Sequence, residues 1–253
     1  DGDWRYNRLA DRWAMRTARW LKSLSPHEHP IAVHNGPGKP PFNKRFEQDP
    51  EAVDAIMFQS WGTTGEDDGW LAAGIEDAIH ESLGNWSGSA VFAEYGYERN
   101  PELPLSFPGF TYTGKEHNRR GAWRGAFCAL GVMNGFENTW GPVMDLENDQ
   151  PGVRYFEILH RFFTEVVPYD RLQPSASLVD RQEDMAPGTR PLALASEGRD
   201  VIAVYLPVGG SVTLSLPEGR RYRAEWYDPR TGELQRASAA LANGRYVAPA
   251  GDE

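Results

Sequence analysis

Ala90-Val91-Phe92-Ala93-Glu94-Tyr95-Gly96-Tyr97-Glu98 is the stretch that decides how this chain is read. Four apolar residues, too few for a helix, run directly into an acid, two tyrosines, a glycine and a second acid. That is the form of a short strand buried on both faces whose end opens onto a polar rim. Two earlier runs repeat it: Ile31-Ala32-Val33 ends in His34-Asn35 before the turn Gly36-Pro37-Gly38, and Val53 to Phe58 ends in Gln59-Ser60-Trp61. A fourth run, Gly131 to Gly135, carries Asn134 and leads to Glu137.

Helical patterns separate these strands. Leu9, Trp13, Trp20 and Leu24 recur at spacings of four, seven and four, which predicts a helix from about Trp4 to Leu24 that stops before Pro26. Its apolar face is expected to pack inward, with the intervening arginines in water. Further helices are expected from about Gly69 to Leu83, with Gly84 as C-cap, from Arg119 to Leu130, and from Pro151 to Val167, with Pro151 in the first turn. Doubly buried strands alternating with helices predict parallel βα repeats. Polar residues just after each strand end mark the face on which a (β/α)8 barrel builds its active site.

The alternation stops near Pro168. From Leu192 the pattern has period two, over Asp200–Leu206, Ser211–Leu216 and Tyr222–Tyr227, with Gly- or Pro-containing turns between. The expected architecture is therefore the C-terminal half of a (β/α)8 barrel over residues 1–172, followed by a small antiparallel β-sandwich over 173–253. The polar stretch Ser175–Thr189 joins the two. Four βα units do not close a barrel of eight strands, so an N-terminal half-barrel is expected from outside this chain. The open edges of an unclosed sheet predict self-association of the chain alone.

Composition narrows the partners. Acidic residues outnumber lysine and arginine by 36 to 26, and a net charge of -10 without a basic cluster disfavours nucleic acid and anionic membrane surfaces. No apolar run approaches the roughly 20 residues a bilayer crossing requires. The single cysteine, Cys128, lies in an apolar stretch and reads as a buried side chain. Nine Trp, ten Tyr and eleven Phe exceed what a core of this size needs, and flat rings are what sugar faces stack on.

Glycosidic bond cleavage needs two carboxyl groups flanking the anomeric carbon, about 5 to 5.5 Å apart for retention. Glu94 is placed to supply one; the alternative is a structural hydrogen-bond network at the rim. Glu98 reads as a positioning or sugar-binding residue. Trp61, Tyr95, Tyr97 and Trp140 are candidates for stacking on sugar rings, with loop packing the alternative for the two tryptophans. His34, Asn35 and Gln59 are candidates for bonding sugar hydroxyls, and a site built that way rejects substrates that leave such groups unpaired. No metal is expected: His27, His29 and His34 are not brought together by the pattern, and Asp145, Glu147 and Asp149 lack the spacing of a calcium loop. No cofactor motif is present.

Three stretches in this order resemble the apiosidase-like glycoside hydrolases, which join a (β/α)8 barrel to a C-terminal β-sandwich labelled collagen-binding. Phe92 to Glu98 resembles the segment of strand seven that holds the family's catalytic glutamate, which implies the nucleophile role for Glu94. Arg120-Gly121-Ala122-Trp123, Gly131 to Gly135 and Thr139-Trp140 resemble the following helix and strand eight. Ala203-Val204-Tyr205-Leu206-Pro207 and Trp226-Tyr227-Asp228-Pro229-Arg230-Thr231-Gly232 match the sandwich. The family's aromatics and His near the end of strand eight are replaced here by Val132, Asn134 and Glu137, so Glu137 is expected at a subsite for a different sugar. The resemblance implies a retaining hydrolase of plant or algal cell-wall glycans, secreted or periplasmic, with an oligosaccharide or polysaccharide substrate. It places the other catalytic acid just upstream of Trp4, with Asp1 and Asp3 as neighbours at best. A non-catalytic carbohydrate-binding or interaction module is the alternative, in which the sandwich provides adhesion.

Overall fold

A computed structural model describes residues 8–27, 29–34, 46, 49–59, 79, 83–99, 102, 104, 113–128, 130–133, 135–136, 150–180, 185, 187–237 and 245–247. The three apolar runs form parallel strands β1 (Ala32–His34), β2 (Ala55–Gln59) and β3 (Ser89–Glu94). The fourth run is divided. Its first part, β5 (Gly131–Val132), pairs with β3, and its second, β6 (Gly135–Phe136), pairs with β4 (Tyr97–Glu98). The main sheet has the order β1-β2-β3-β5, all parallel. Its strands are short because each leaves the sheet as soon as its apolar residues end.

Helix α1 (Arg8–Leu24) corrects one expectation. It packs through Ala18 and Met15 against Ile31, Val33, Ala52, Val53 and Ile56, while Lys22 donates to Asp54 at 2.8 Å. The stripe Leu9, Trp13, Trp20 and Leu24 is exposed, at 58 to 66 % of each residue's surface. The reason is that small Ala18 permits close approach to the sheet, whereas the bulkier stripe lies on a different arc of the helix.

Helix α2 (Lys115–Phe127) begins four residues earlier than its pattern predicts. Glu116 in its first turn and Arg124 in its last suit the helix dipole. The helix lies tight on the sheet because Gly121 faces the Tyr95 ring, where a Cβ would meet Cδ2 at 2.6 Å. Ala122, Trp123, Ala126 and Phe127 fill the space between the parallel sheet and the antiparallel part of the chain. Of the helix expected over 69–83, Ile79 and Leu83 are among the described residues, and Ile79 is fully buried in the same cluster.

Helix α3 (Val153–Arg161) continues into a wider π turn, Phe162–Val166, closed by Val167 N–H donating to Phe162 O at 2.9 Å. The wider turn brings two consecutive residues onto one target: the Phe162 and Phe163 rings lie 5.1 and 6.2 Å from Trp123.

Antiparallel strands β7 (Leu172–Pro174), β8 (Leu192–Ser196) and β9 (Ile202–Tyr205) form a second sheet, with β10 (Ser211–Thr213) paired to β13 (Arg245–Val247) and β11 (Glu225–Tyr227) to β12 (Leu234–Arg236). Alternation along β8 and β9 shows how they are buried. Leu192, Leu194, Ala203 and Tyr205 face the Trp123 cluster, and Ala193, Ala195, Ile202 and Val204 face a separate core with Leu178, Val179 and Val212. The joining stretch thus contributes core residues: Leu178 is fully buried, and Val179 bridges Leu214. Trp123 stacks on Tyr205 at 5.6 Å, Tyr227 donates to Ile158 O at 3.1 Å, and fully buried Arg124 donates to Gly188 O at 2.7 Å. One continuous core therefore ties the parallel and antiparallel regions together.

Candidate functional site

An irregularity in pairing places Glu94. Strands β2 and β3 run in register from Ala55↔Ser89 to Phe58↔Phe92, and then Gln59 pairs with Glu94, skipping Ala93. In an unbroken strand Glu94 would share the face of Phe92, which stacks on Phe58 at 5.2 Å within the core below α2. The extra residue lets the carboxylate stand instead beside Gln59.

Three strand ends converge there. Gln59 Nε2 donates to Glu94 Oε1 in a short contact and lies 3.3 Å from His34 Nε2, which is itself 4.0 Å from Glu94 Oε1. The Tyr97 hydroxyl also bonds the Glu94 carboxylate; burial first, and then that negative charge, hold the phenol well above its ordinary value. Glu94 keeps 21 % of its side-chain surface and His34 keeps 42 %, so the cluster is open on one side. The arrangement presents an oriented carboxylate, held by an amide and a phenol, at the C-terminal end of a parallel sheet.

The support beneath it comes from α2. His117 Nε2 reaches Tyr95 O at 3.3 Å, and burial, aided by nearby Arg120, lowers its pKa to about 3, so the ring is neutral. Asn118 accepts from Thr113 Oγ1 at 2.8 Å and donates to Gly135 O at 3.4 Å, tying Thr113, just before α2, to β6. Neither residue carries a sequence signal of this use, because polar side chains in a first helical turn ordinarily face water.

Of the residues expected at the site, His34, Gln59, Glu94 and Tyr97 are brought together. Tyr95 is corrected: it is 1 % exposed, its ring lies 4.8 Å from Phe92, and it is closed off from any ligand. Its position immediately after the bulge turns it under α2. Glu98 is also 1 % exposed, and its Oε1 accepts from Gly152 N at 2.8 Å, away from the open cluster. Asn35, Trp61, Glu137 and Trp140 lie outside the described residues, as do Asp1, Asp3, the turn Gly36 to Gly38 and the acidic loop Asp145 to Asp149. Cys128, expected to be buried, is only half-buried at the end of α2, where the chain leaves the helix. His29 contacts Ser25 Oγ at 3.1 Å, apart from the His34 cluster. Among the described residues no group of three or more His, Cys, Asp or Glu could hold a metal, and no helix is long and apolar enough to cross a membrane.

Comparison with known proteins gives two likenesses. A family model described as "Putative collagen-binding domain of a collagenase" matches residues 174–251. The crystal structure of a glycoside hydrolase family 5 protein from Bacteroides vulgatus ATCC 8482 is similar at a TM-score of 0.63 and 19 % identity, over 91 % of this chain and 52 % of that one. No curated protein matches. This chain spans about half the length of the solved hydrolase, and at that identity the likeness is one of fold: a mixed α/β architecture of parallel and antiparallel sheets.

Proposed function

We propose that this chain is the C-terminal half of a (β/α)8 glycoside-hydrolase barrel, residues 1–172, carrying a β-sandwich over 173–253, and that Glu94 is the nucleophile of a retaining glycosidase. The observation that carries this reading is the oriented, partly open Glu94 carboxylate at the C-terminal end of a parallel strand, with Gln59 and Tyr97 bonded to it. The fold likeness to a glycoside hydrolase and the exposed α1 stripe, which further βα units would cover, support it.

In this mechanism Glu94 attacks the anomeric carbon as the glycosidic bond breaks, and a second carboxylic acid gives its proton to the departing oxygen. Water, deprotonated by that same second group, then displaces Glu94 and releases the sugar. The second carboxylate belongs to the barrel units that precede Trp4. Gln59 and Tyr97 aim the attacking carboxylate without moving protons, and His34, Asn35, Trp61, Glu137 and Trp140 bind the glycan. As the apiosidase-like resemblance implies, the substrate class is plant or algal cell-wall glycan and the enzyme is secreted or periplasmic.

The test is turnover of aryl glycosides and pectic oligosaccharides by the full-length protein and its Glu94→Gln variant. Loss on the order of a thousandfold or more supports the reading. Full turnover by the variant removes it. The second reading, a carbohydrate-binding module, draws on the family match over 174–251. It is favoured if wild type and variant bind the oligosaccharides equally and neither hydrolyses any.

A further inference from the structure

Glu98 is a buried carboxylate for which the hydrolytic reaction has no direct use. It lies on β4, a strand of two residues whose ladder to β6 is also two residues long. Such a ladder holds its segment weakly by itself. The side chain reaches across to the start of α3, where Oε1 accepts from Gly152 N at 2.8 Å. Oε2 is buried and has no hydrogen-bond partner among the described residues. The packing is close enough that a Cβ on Gly152 would stand 1.8 Å from Oε2.

A half-satisfied buried carboxylate is costly, and an apolar side chain of the same size would pack at least as well. Its position supplies a reason for it. One residue before it, Tyr97 bonds Glu94, and the Tyr97 carbonyl accepts from Thr113 N at 2.8 Å. We propose that Glu98 is a positioning residue, whose carboxylate clamps β4 to the first turn of α3 and thereby holds Tyr97 against Glu94. The role in catalysis rests on the reading of Glu94 as nucleophile; the clamp itself does not. Burial raises the Glu98 pKa to about 6, against the opposing influence of the Gly152 N–H and Lys115, with Glu116 adding to the rise. Protonated or not, a carboxyl oxygen remains to accept from Gly152 N, so the clamp persists across that titration.

Hydrogen exchange and kinetics on the full-length protein test it together. Glu98→Ala is expected to speed amide exchange at Tyr97 and Gly152 by about tenfold while Ile56 and Phe58 stay at the wild-type rate. The kcat falls by about tenfold with KM little changed, because a mis-aimed nucleophile affects the chemical step. Glu98→Gln keeps an acceptor for Gly152, so it restores most of both. Unchanged exchange at Tyr97 and Gly152 in Glu98→Ala overturns the clamp. So does an equal rise at Ile56 and Phe58, which is global loosening, or a Glu98→Gln variant no better than Glu98→Ala. A wild type inactive on every glycoside removes the Glu94 reading and leaves exchange to decide the clamp.

Discussion

His117 is predicted to make the protein acid-labile by an amount that can be worked out. The ring is 5 % exposed, and its pKa falls from 6.5 to about 3, first through burial and then through the charge of Arg120. A depressed histidine is neutral in the folded protein but takes up a proton when unfolded, so its contribution is full above pH 6.5 and is lost as pH falls towards 3. Each pH unit across that window costs about 1.4 kcal/mol, so acidification from about pH 7.5 to about pH 4.5 removes on the order of 3 kcal/mol. Glu98 acts in the opposite sense. Its pKa is raised from 4.5 to about 6, so the folded protein binds the proton more tightly and gains stability as pH falls through that interval. The gain by about pH 4.5 is on the order of 1 to 2 kcal/mol, smaller than the His117 loss. Substituting His117→Gln isolates the histidine, because the amide nitrogen of glutamine can replace Nε2 as donor to Tyr95 O. Urea denaturation followed by tryptophan fluorescence is expected to show wild type losing on the order of 3 kcal/mol more than the variant over that pH interval. Equal losses in the two proteins refute the buried neutral histidine and the support it gives the turn after Glu94.

Trp123→Ala is expected to cost about 3 to 5 kcal/mol in the same denaturation assay, because the ring packs on Phe162 and Tyr205 at the centre of the shared core. Gly121→Ala forces a Cβ to within 2.6 Å of the Tyr95 ring, so a loss of about 1 to 3 kcal/mol is expected, with α2 displaced from the sheet. Tyr97→Phe removes the phenol from Glu94 and is expected to lower kcat by about tenfold with stability nearly unchanged. Replacing exposed Trp13 and Trp20 with Gln is expected to reduce self-association of the 253-residue chain in sedimentation velocity; a monomeric chain with both tryptophans intact argues against an apolar docking face there.

Much of the parallel sheet was legible because a short apolar run ending in polar residues has few other solutions. Ile31 to His34, Val53 to Gln59 and Ala90 to Glu94 each formed a strand, although β1, expected to be buried on both faces, lies at the sheet's edge with Ala32 and His34 exposed. The bulge at Ala93 was not, since an extra residue leaves no chemical mark when both neighbours tolerate the strand. Tyr95 and Tyr97 look alike in sequence, and only the backbone turn between them sends one under α2 and the other to Glu94. The start of α2 was obscured for a related reason. Lys115 to Arg120 is polar throughout, yet His117, Asn118 and Arg119 are buried because turns, α3 and the antiparallel region cover what would otherwise be a solvent face. Leu192 to Ala195 is apolar throughout, without polar residues in alternation, because both faces of β8 are buried. The α1 stripe displays the complementary limit: its period announced an apolar face, and no local pattern says which neighbour takes it.

The most direct test of the account is covalent trapping on the full-length protein. A 2-deoxy-2-fluoro glycoside of a sugar that it hydrolyses slows release of a glycosyl-enzyme, and peptide mass spectrometry then locates the adduct. The account predicts one fluoroglycosyl group on Glu94. A stable adduct on any other carboxylate, with Glu94 unmodified, contradicts it.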